Sequence, residues 1–410
     1  MNLSGLLPAV LADPAAAEAV DLVRTRGVVD IIGPAGVRPP LLAAMTGARP
    51  WQSSERAQVG PGLGTGGRPL VVVTATGRDA DDLAASLRGY LPADAVAVLP
   101  AWETLPHERL SPRSDTVARR LAVFRRLAHP STNVGQKGAI RVLVMPVRAL
   151  LQPVVAGLGE LAPAELNVGD RADLAEVADR LVAAAYTRVD MVERRGEFAV
   201  RGGILDVFPP TEDHPLRVEF WGEQVEEVRW FAVADQRSLE VAERGVWAPP
   251  CREILLTAPV RARAAALAEL FPAAAEMLGR LAEGIAVEGM ESLAPVLADR
   301  MVPVLDLVPG DALLVLADPE RVRRRAHDLV ATTEEFLAAA WTSAAAGAST
   351  PIDLRAASFA TFAEVREIAA RRGLGWWTLS AFGLDPDATP QVSDPARART
   401  PGGSDTSPVD

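Results

Sequence analysis

Residues 69–100, PLVVVTATGRDADDLAASLRGYLPADAVAVLP, hold a strand, a helix and a second strand in succession. PLVVVTA (69–75) is a continuous β-branched run, the pattern of a strand buried on both faces. In RDADDLAASLRGYL (78–91), Leu83, Leu87 and Leu91 fall at i, i+4 and i+8, which predicts an amphipathic helix. VAVLP (96–100) is again continuously apolar. The same alternation extends both ways. PAAAEAVDLVRT (14–25) predicts a helix and GVVDIIG (27–33) a strand. SPRSDTVARRLAVFRRLAHP (111–130) predicts a helix with Val117, Leu121 and Phe124 on one face, followed by a strand at RVLVMP (141–146). A further strand is expected in DALLVLADPERV (311–322) and a long helix over 320–342. Strands alternating with helices make this an α/β chain with parallel pairing and right-handed crossovers.

The pattern changes after residue 151. DRADLAEVADRLVAAAYTRVDMV (170–192) opens as a helix and runs into extended chain. EFAVRGGILDVFPP (197–210) and LRVEFWGEQVEEVRWF (216–231) alternate apolar with polar residues, as half-exposed antiparallel strands do, with WGEQ (221–224) as a hairpin turn. A small α+β insert or second domain is therefore expected around 152–212, followed by a third segment with Ala-rich helices over 259–300 and, at 386–410, a disordered tail.

Composition excludes several function classes. The 410 residues carry a net charge of −11, against a chain built for broad nucleic-acid contact. Cys251 is the single cysteine, so no intrachain disulfide and no cysteine zinc site forms. His107, His129, His214 and His327 have no metal-ligand spacing. Among 42 basic residues Lys137 is the one lysine, and Gly138 follows it, so no Walker A loop is present. The N-terminus has no basic segment ahead of an apolar one, and no run of about 20 apolar residues exists to span a membrane. A cytoplasmic chain is expected.

The candidate chemistry is sparse. GPGLGTGG (60–67) follows no strand. GPAGVRPP (33–40) does follow one, where a phosphate loop would sit, and is open to two readings: a relic of such a loop or an ordinary turn. Asp318, after an apolar strand, stands where a Walker B acid would, but Asp-Pro also suits a helix cap. RVRRR (321–325) and RRLAVFRR (119–126) read as solvated helix faces. The densest constellation is 186–208, where Arg188, Arg194, Arg195 and Arg201 surround Phe198. Arginine and aromatic residues are enriched at protein–protein hot spots.

LPAWETLPHERLSPRSDTVARRL (99–121) and YTRVDMVERRGEFAVRGGILDVFPP (186–210), continued by LRVEFWGEQVEEVRWFAVADQRSL (216–239), resemble the transcription-repair coupling factor family. The likeness runs from about residue 20 to about 345, and GLGWWTLSAFG (373–383) continues it. It implies a UvrB-like, degenerate helicase-type parallel sheet domain over 1–151 and 213–345, with an inserted small α+β domain at 152–212 and a linker or the start of another domain at 346–385. In that family the small domain binds UvrA. The matching positions are Arg188 in Tyr186-Thr187-Arg188, and Phe198 and Arg201 in Phe198-Ala199-Val200-Arg201-Gly202. Ala199 stands where UvrB has a further arginine, and Arg194 and Arg195 lie nearby to compensate. Phe198 is the expected apolar anchor.

Two UvrB features are missing: the phosphate loop, and the damage-probing hairpin, for which 102–116 leaves no room. The resemblance implies no catalytic residue, cofactor or metal in this chain, because ATP and magnesium belong to the family's motor domains. RNA polymerase and double-stranded DNA are likewise expected to be met through domains not represented here, and the UvrA surface to be masked in the full-length family member until polymerase is engaged. The chain is expected to be a monomeric, C-terminally truncated member from a high-GC bacterium. The competing reading, a UvrB-type damage-binding ATPase, would need the missing phosphate loop.

Overall fold

The computed structural model describes residues 2–23, 27–47, 68–105, 110–130, 138–345 and 358–381. The Gly-rich 60–67 stretch, Lys137 and the expected tail at 386–410 lie outside them. A six-stranded, all-parallel sheet forms the main body, in the order Val28–Ile32, Gly375–Ser380, Leu313–Ala317, Leu70–Thr74, Val142–Pro146, Val96–Val98. Leu70–Thr74, Val142–Pro146 and Leu313–Ala317 are buried along their whole length, as continuous β-branched and aliphatic runs between two helical layers must be.

The helices follow the expected periodicity. Gly77–Leu87 begins at a capping box between Thr76 and Asp79, and buries Ala80, Ala84 and Leu87. Ser114–Ala128 buries Val117, Leu121 and Phe124 on the other side of the sheet. Pro14–Leu22 starts at Asp13, whose carboxylate accepts the Ala16 N–H. Pro319–Ala345 follows the strand Leu313–Ala317.

Two expected boundaries are corrected. The first is the linker at 346–385. Its Gly375–Ser380 segment is an inner strand of the main sheet, paired on both sides, with Trp377 fully buried. A β-carbon on Gly375 would lie 2.6 Å from Leu313 Cδ1, so any larger residue here would have to push the end of the Leu313 side chain aside. The capped helix Phe362–Arg371 precedes the strand and packs into the same core.

The second correction concerns the end of the small unit. Its sheet runs Ser238–Val241, Gln224–Phe231, Leu216–Trp221, Ile204–Val207, Glu197–Arg201, Thr187–Arg188. Ile204–Val207 pairs antiparallel with Leu216–Trp221, so a boundary at 212 would cut one sheet in two. The chain enters through Ala164–Leu166 and leaves through Val246–Ala248, and these segments pair with each other. The unit therefore closes at a two-stranded neck near residues 164 and 248. The helix Leu174–Ala183 covers one face of the sheet over a core that includes Val177, Leu181, Phe198, Leu205 and Val218. The expected hairpin at 221–224 is present: Trp221 pairs with Gln224, and Gly222 takes a positive φ of 63°. The Ala-rich segment 258–297 packs as a helical cluster around Leu278, Leu281 and Leu297.

Candidate partner-binding surface

The small unit is fixed to the main body by buried charges just beyond its neck. Glu253, 3% exposed, accepts hydrogen bonds from Arg120 Nε at 2.5 Å and Trp102 Nε1 at 3.0 Å. Arg120, fully buried, also donates to the Pro100 carbonyl and lies over the Phe124 ring at 5.3 Å. Next to it, Arg252 and Ser111 both donate to the buried Glu291. Trp102 and Arg120 of the 99–121 motif thus hold the exit of the inserted unit. RRLAVFRR is correspondingly not a solvated face throughout, since Arg120 and Arg126 are buried; Arg126 donates to the Asp94 and Gly138 carbonyls, and its burial lowers its pKa. In RVRRR the expectation of an exposed face fits, with Arg321 paired to Asp79 and Arg323 to Glu320.

The five residues expected to bind a partner do not form one patch. Phe198 is corrected first: it is fully buried in the small unit's core, so it offers no ring to a partner. Alternation along Glu197–Arg201 places Phe198 toward the helix, while Ala199 packs on the other side against Val192, Phe208 and Phe231. Arg201 lies on the Ala199 side, at the Gly202 turn. Arg188 is exposed on the edge strand opposite Phe198, hence on the helix side of the sheet.

Arg194 and Arg195 sit at the other end of Glu197–Arg201, in a loop held by the Glu197 carboxylate, which accepts the Glu193 and Arg194 N–H groups at 2.9 and 2.8 Å. Arg195 donates to the Glu212 carbonyl and Asp213, over the Phe208 ring. The Arg188 and Arg194 guanidinium groups take no hydrogen bond or ion pair among the described residues.

Arg201 is not alone. Its Nη2 donates to Asp206 at 2.6 Å, and Arg217 donates twice to the same carboxylate at 2.7 and 2.9 Å. Asp206 is buried, whereas half of the Arg201 side chain remains exposed. One buried carboxylate thus orients two guanidinium groups, and the hydrogen bond to Asp206 raises the Arg217 pKa further. Arg217 had no signal in a linear reading. It is legible only once Asp206 and Arg217 are seen to pair across neighbouring strands.

At the C-terminal edge of the main sheet lies a cleft of about 310 Å³ lined by Arg38, Thr74, Asp79, Asp318 and Arg321. Open α/β sheets bind ligands at this edge. Here Arg38 closes it, donating to both Asp318 oxygens at 2.7 and 2.5 Å. Asp318 has a positive φ of 58°. Its carbonyl accepts the Val322 N–H, as a capping residue's does, but its side chain goes to Arg38 instead of the helix. Pro39 and Pro40 remove two backbone donors from the turn after Gly33. This turn therefore lacks the lysine and the unbroken run of backbone N–H groups with which a Walker A loop holds phosphate. Among the described residues no cluster of His, Cys, Asp and Glu has metal-binding geometry.

The chain is 51% identical to a transcription-repair-coupling factor of Mycobacterium bovis over an alignment of 381 positions, which covers 87% of this chain and 30% of the relative. The Mycobacterium tuberculosis protein of the same name gives the same figures, and that of Myxococcus xanthus is 36% identical over 64% of this chain and 23% of its own length. The chain belongs to the transcription-repair-coupling factor family. It spans 30% of the length of the mycobacterial members. The UvrB interaction domain family matches residues 164–250, and these limits coincide with the neck at Ala164–Leu166 and Val246–Ala248. The arginines of 186–208 therefore lie in the part of this coupling-factor chain that matches an interaction domain, and the Arg38–Asp318 cleft lies outside it. No helix among the described residues is long and apolar enough to cross a membrane.

Proposed function

We propose that this chain is the UvrA-recruiting part of a transcription-repair coupling factor. Arg188, Arg201, Arg194 and Arg195 are the contacts, and guanidinium groups suit planar, multi-donor pairing with carboxylates on UvrA. One observation carries this reading: the segment matching the UvrB interaction domain is a structurally closed unit whose surface displays arginines, two of them without a hydrogen-bond or ion-pair partner among the described residues. Phe198 supports the contact indirectly, by packing the strand that ends in Arg201.

The chain is not itself an enzyme in this reading. Contacts with RNA polymerase and double-stranded DNA, and ATP-driven translocation with magnesium, are assigned to other parts of the full-length relatives. The competing ATPase reading is disfavoured by the turn after Gly33, which has no lysine, and by Asp318, whose carboxylate is engaged by Arg38. A cytoplasmic monomer fits this role.

Calorimetric titration of UvrA into the chain tests the proposal. The wild type is expected to bind, more weakly as salt rises. The folded Arg188→Ala/Arg201→Ala variant is expected to lose about tenfold or more in affinity. No binding by a well-folded wild type would reject it.

A further inference from the structure

Phe198 is buried, and the apolar anchor expected of it is found elsewhere. Trp221 is 77% exposed, the most exposed large apolar side chain among the described residues. It ends the strand Leu216–Trp221 at the Gly222 turn. Along this strand Leu216, Val218 and Phe220 pack into the core beneath the helix, so Arg217, Glu219 and Trp221 line the opposite face. Arg201 shares that face, because Arg201 pairs with Ile204 and Ile204 pairs with Glu219. Two strand spacings of about 4.8 Å across and one two-residue step of about 6.7 Å along put Arg201 and Trp221 roughly 12 Å apart.

The position is rigid. Trp221 pairs with Gln224, Gln224 bridges to Arg171, and the Phe220 N–H donates to the Gly203 carbonyl at 2.8 Å. A β-carbon on Gly203 would lie 2.9 Å from the Phe220 carbonyl oxygen, so the two glycine turns are locked side by side. The backbone of this hairpin tip is already ordered, so binding has only the side chain left to fix, and tryptophan and arginine head the residues enriched at interface hot spots. Asp206 meanwhile holds Arg201 in place with half its side chain outward.

We propose that Trp221 and Arg201 form one docking face, and that its occupant is a protein surface with an apolar pocket bordered by carboxylates. The inference rests on the recruiting role argued above and names Trp221 as the anchor of that contact. Ring and guanidinium stand on one face of the segment that matches an interaction domain, and Arg201 is the residue this face shares with the contacts proposed above.

Titration of UvrA into the full chain, alongside thermal melting, provides the test. Trp221→Ala is expected to weaken binding about tenfold or more while the melting temperature stays unchanged, and Trp221→Phe to remain within about threefold of wild type. A Trp221→Ala chain that binds like wild type, while Arg188→Ala does not, overturns this inference and leaves the recruiting role standing. A wild type that fails to bind overturns both. Sedimentation showing a dimer that Trp221→Ala dissolves would assign the face to a second copy of the chain and also overturn the proposal.

Discussion

Arg38 and Asp318 lie 280 residues apart in sequence and are joined by two hydrogen bonds across the C-terminal edge of the main sheet. The pair stands where a phosphate loop and an acidic metal ligand face each other in nucleotide-binding sheets. Asp318→Asn keeps a residue that tolerates positive φ and removes only the charge. It is expected to cost about 1–3 kcal/mol, because Arg38 is left mostly buried without its carboxylate. Asp318→Ala adds a left-handed backbone penalty of about 1–2 kcal/mol. Urea unfolding measures both. Arg38→Lys is expected not to create saturable ATP binding, since Pro39 offers neither a hydroxyl nor an N–H; a fluorescent ATP analogue checks this.

Arg120 and Glu253 form a second, more deeply buried pair. Both side chains are essentially inaccessible, and Glu253 also accepts from Trp102. Glu253→Ala leaves a buried guanidinium uncompensated and is expected to cost about 3–5 kcal/mol. The Arg120→Met/Glu253→Met double variant removes both charges and is expected to recover most of that loss. The denaturant midpoint of the main body is the readout. A double variant as unstable as the single one would show that the geometry of the pair, and not the stranded charge, dominates.

Phe198 and Arg194 separate stability from recognition within ten residues of sequence. Phe198→Ala empties a fully buried site and is expected to destabilise the small unit by about 3–5 kcal/mol. Arg194 is exposed and its guanidinium takes no hydrogen bond or ion pair among the described residues, so Arg194→Ala is expected to stay within about 0.5 kcal/mol of wild type. Circular dichroism melts of the two variants test the contrast. Loss of partner binding in Phe198→Ala would then report unfolding rather than a missing contact.

The parallel strands at 69–75, 141–146 and 311–318 were legible because burial on both faces demands unbroken β-branched and aliphatic runs. Gly375–Ser380 escaped that test. It carries two tryptophans, and its glycine answers to Leu313, more than sixty residues upstream. The end of the small unit escaped for a similar reason. Val246–Ala248 is three residues long, and its meaning lies in pairing with Ala164–Leu166. At the candidate site, period-two alternation separates Phe198 and Val200 from Ala199 and Arg201, but alternation alone does not say which face carries the helix. That depended on the helix Leu174–Ala183. Asp206 gathering Arg201 and Arg217 is a cross-strand relation and leaves no trace at fixed spacing along the chain.

Alkaline pH is expected to loosen the small unit through Cys251 and Tyr186. Burial pushes the Cys251 thiol up to about 12 from an ordinary 9.0. Burial, with the neighbouring thiol second, also raises the Tyr186 hydroxyl well above 10.0. Tyr186 donates to the Pro249 carbonyl at 2.9 Å, next to the neck. Both groups are raised in the folded state, so their contribution is fully present below about pH 9 and is lost as the pH climbs toward 12. Above pH 9 the unfolded chain releases these protons first, which favours unfolding. Urea midpoints measured from pH 8 to pH 11.5 are expected to fall across that window, and Cys251→Ala to flatten part of the fall. In the same buffers the native thiol is expected to resist alkylation at pH 8 and to react once urea opens the unit, since a buried, protonated sulfur is a poor nucleophile. Rapid modification of the folded chain at pH 8 would mean that the neck opens far more often than its packing implies.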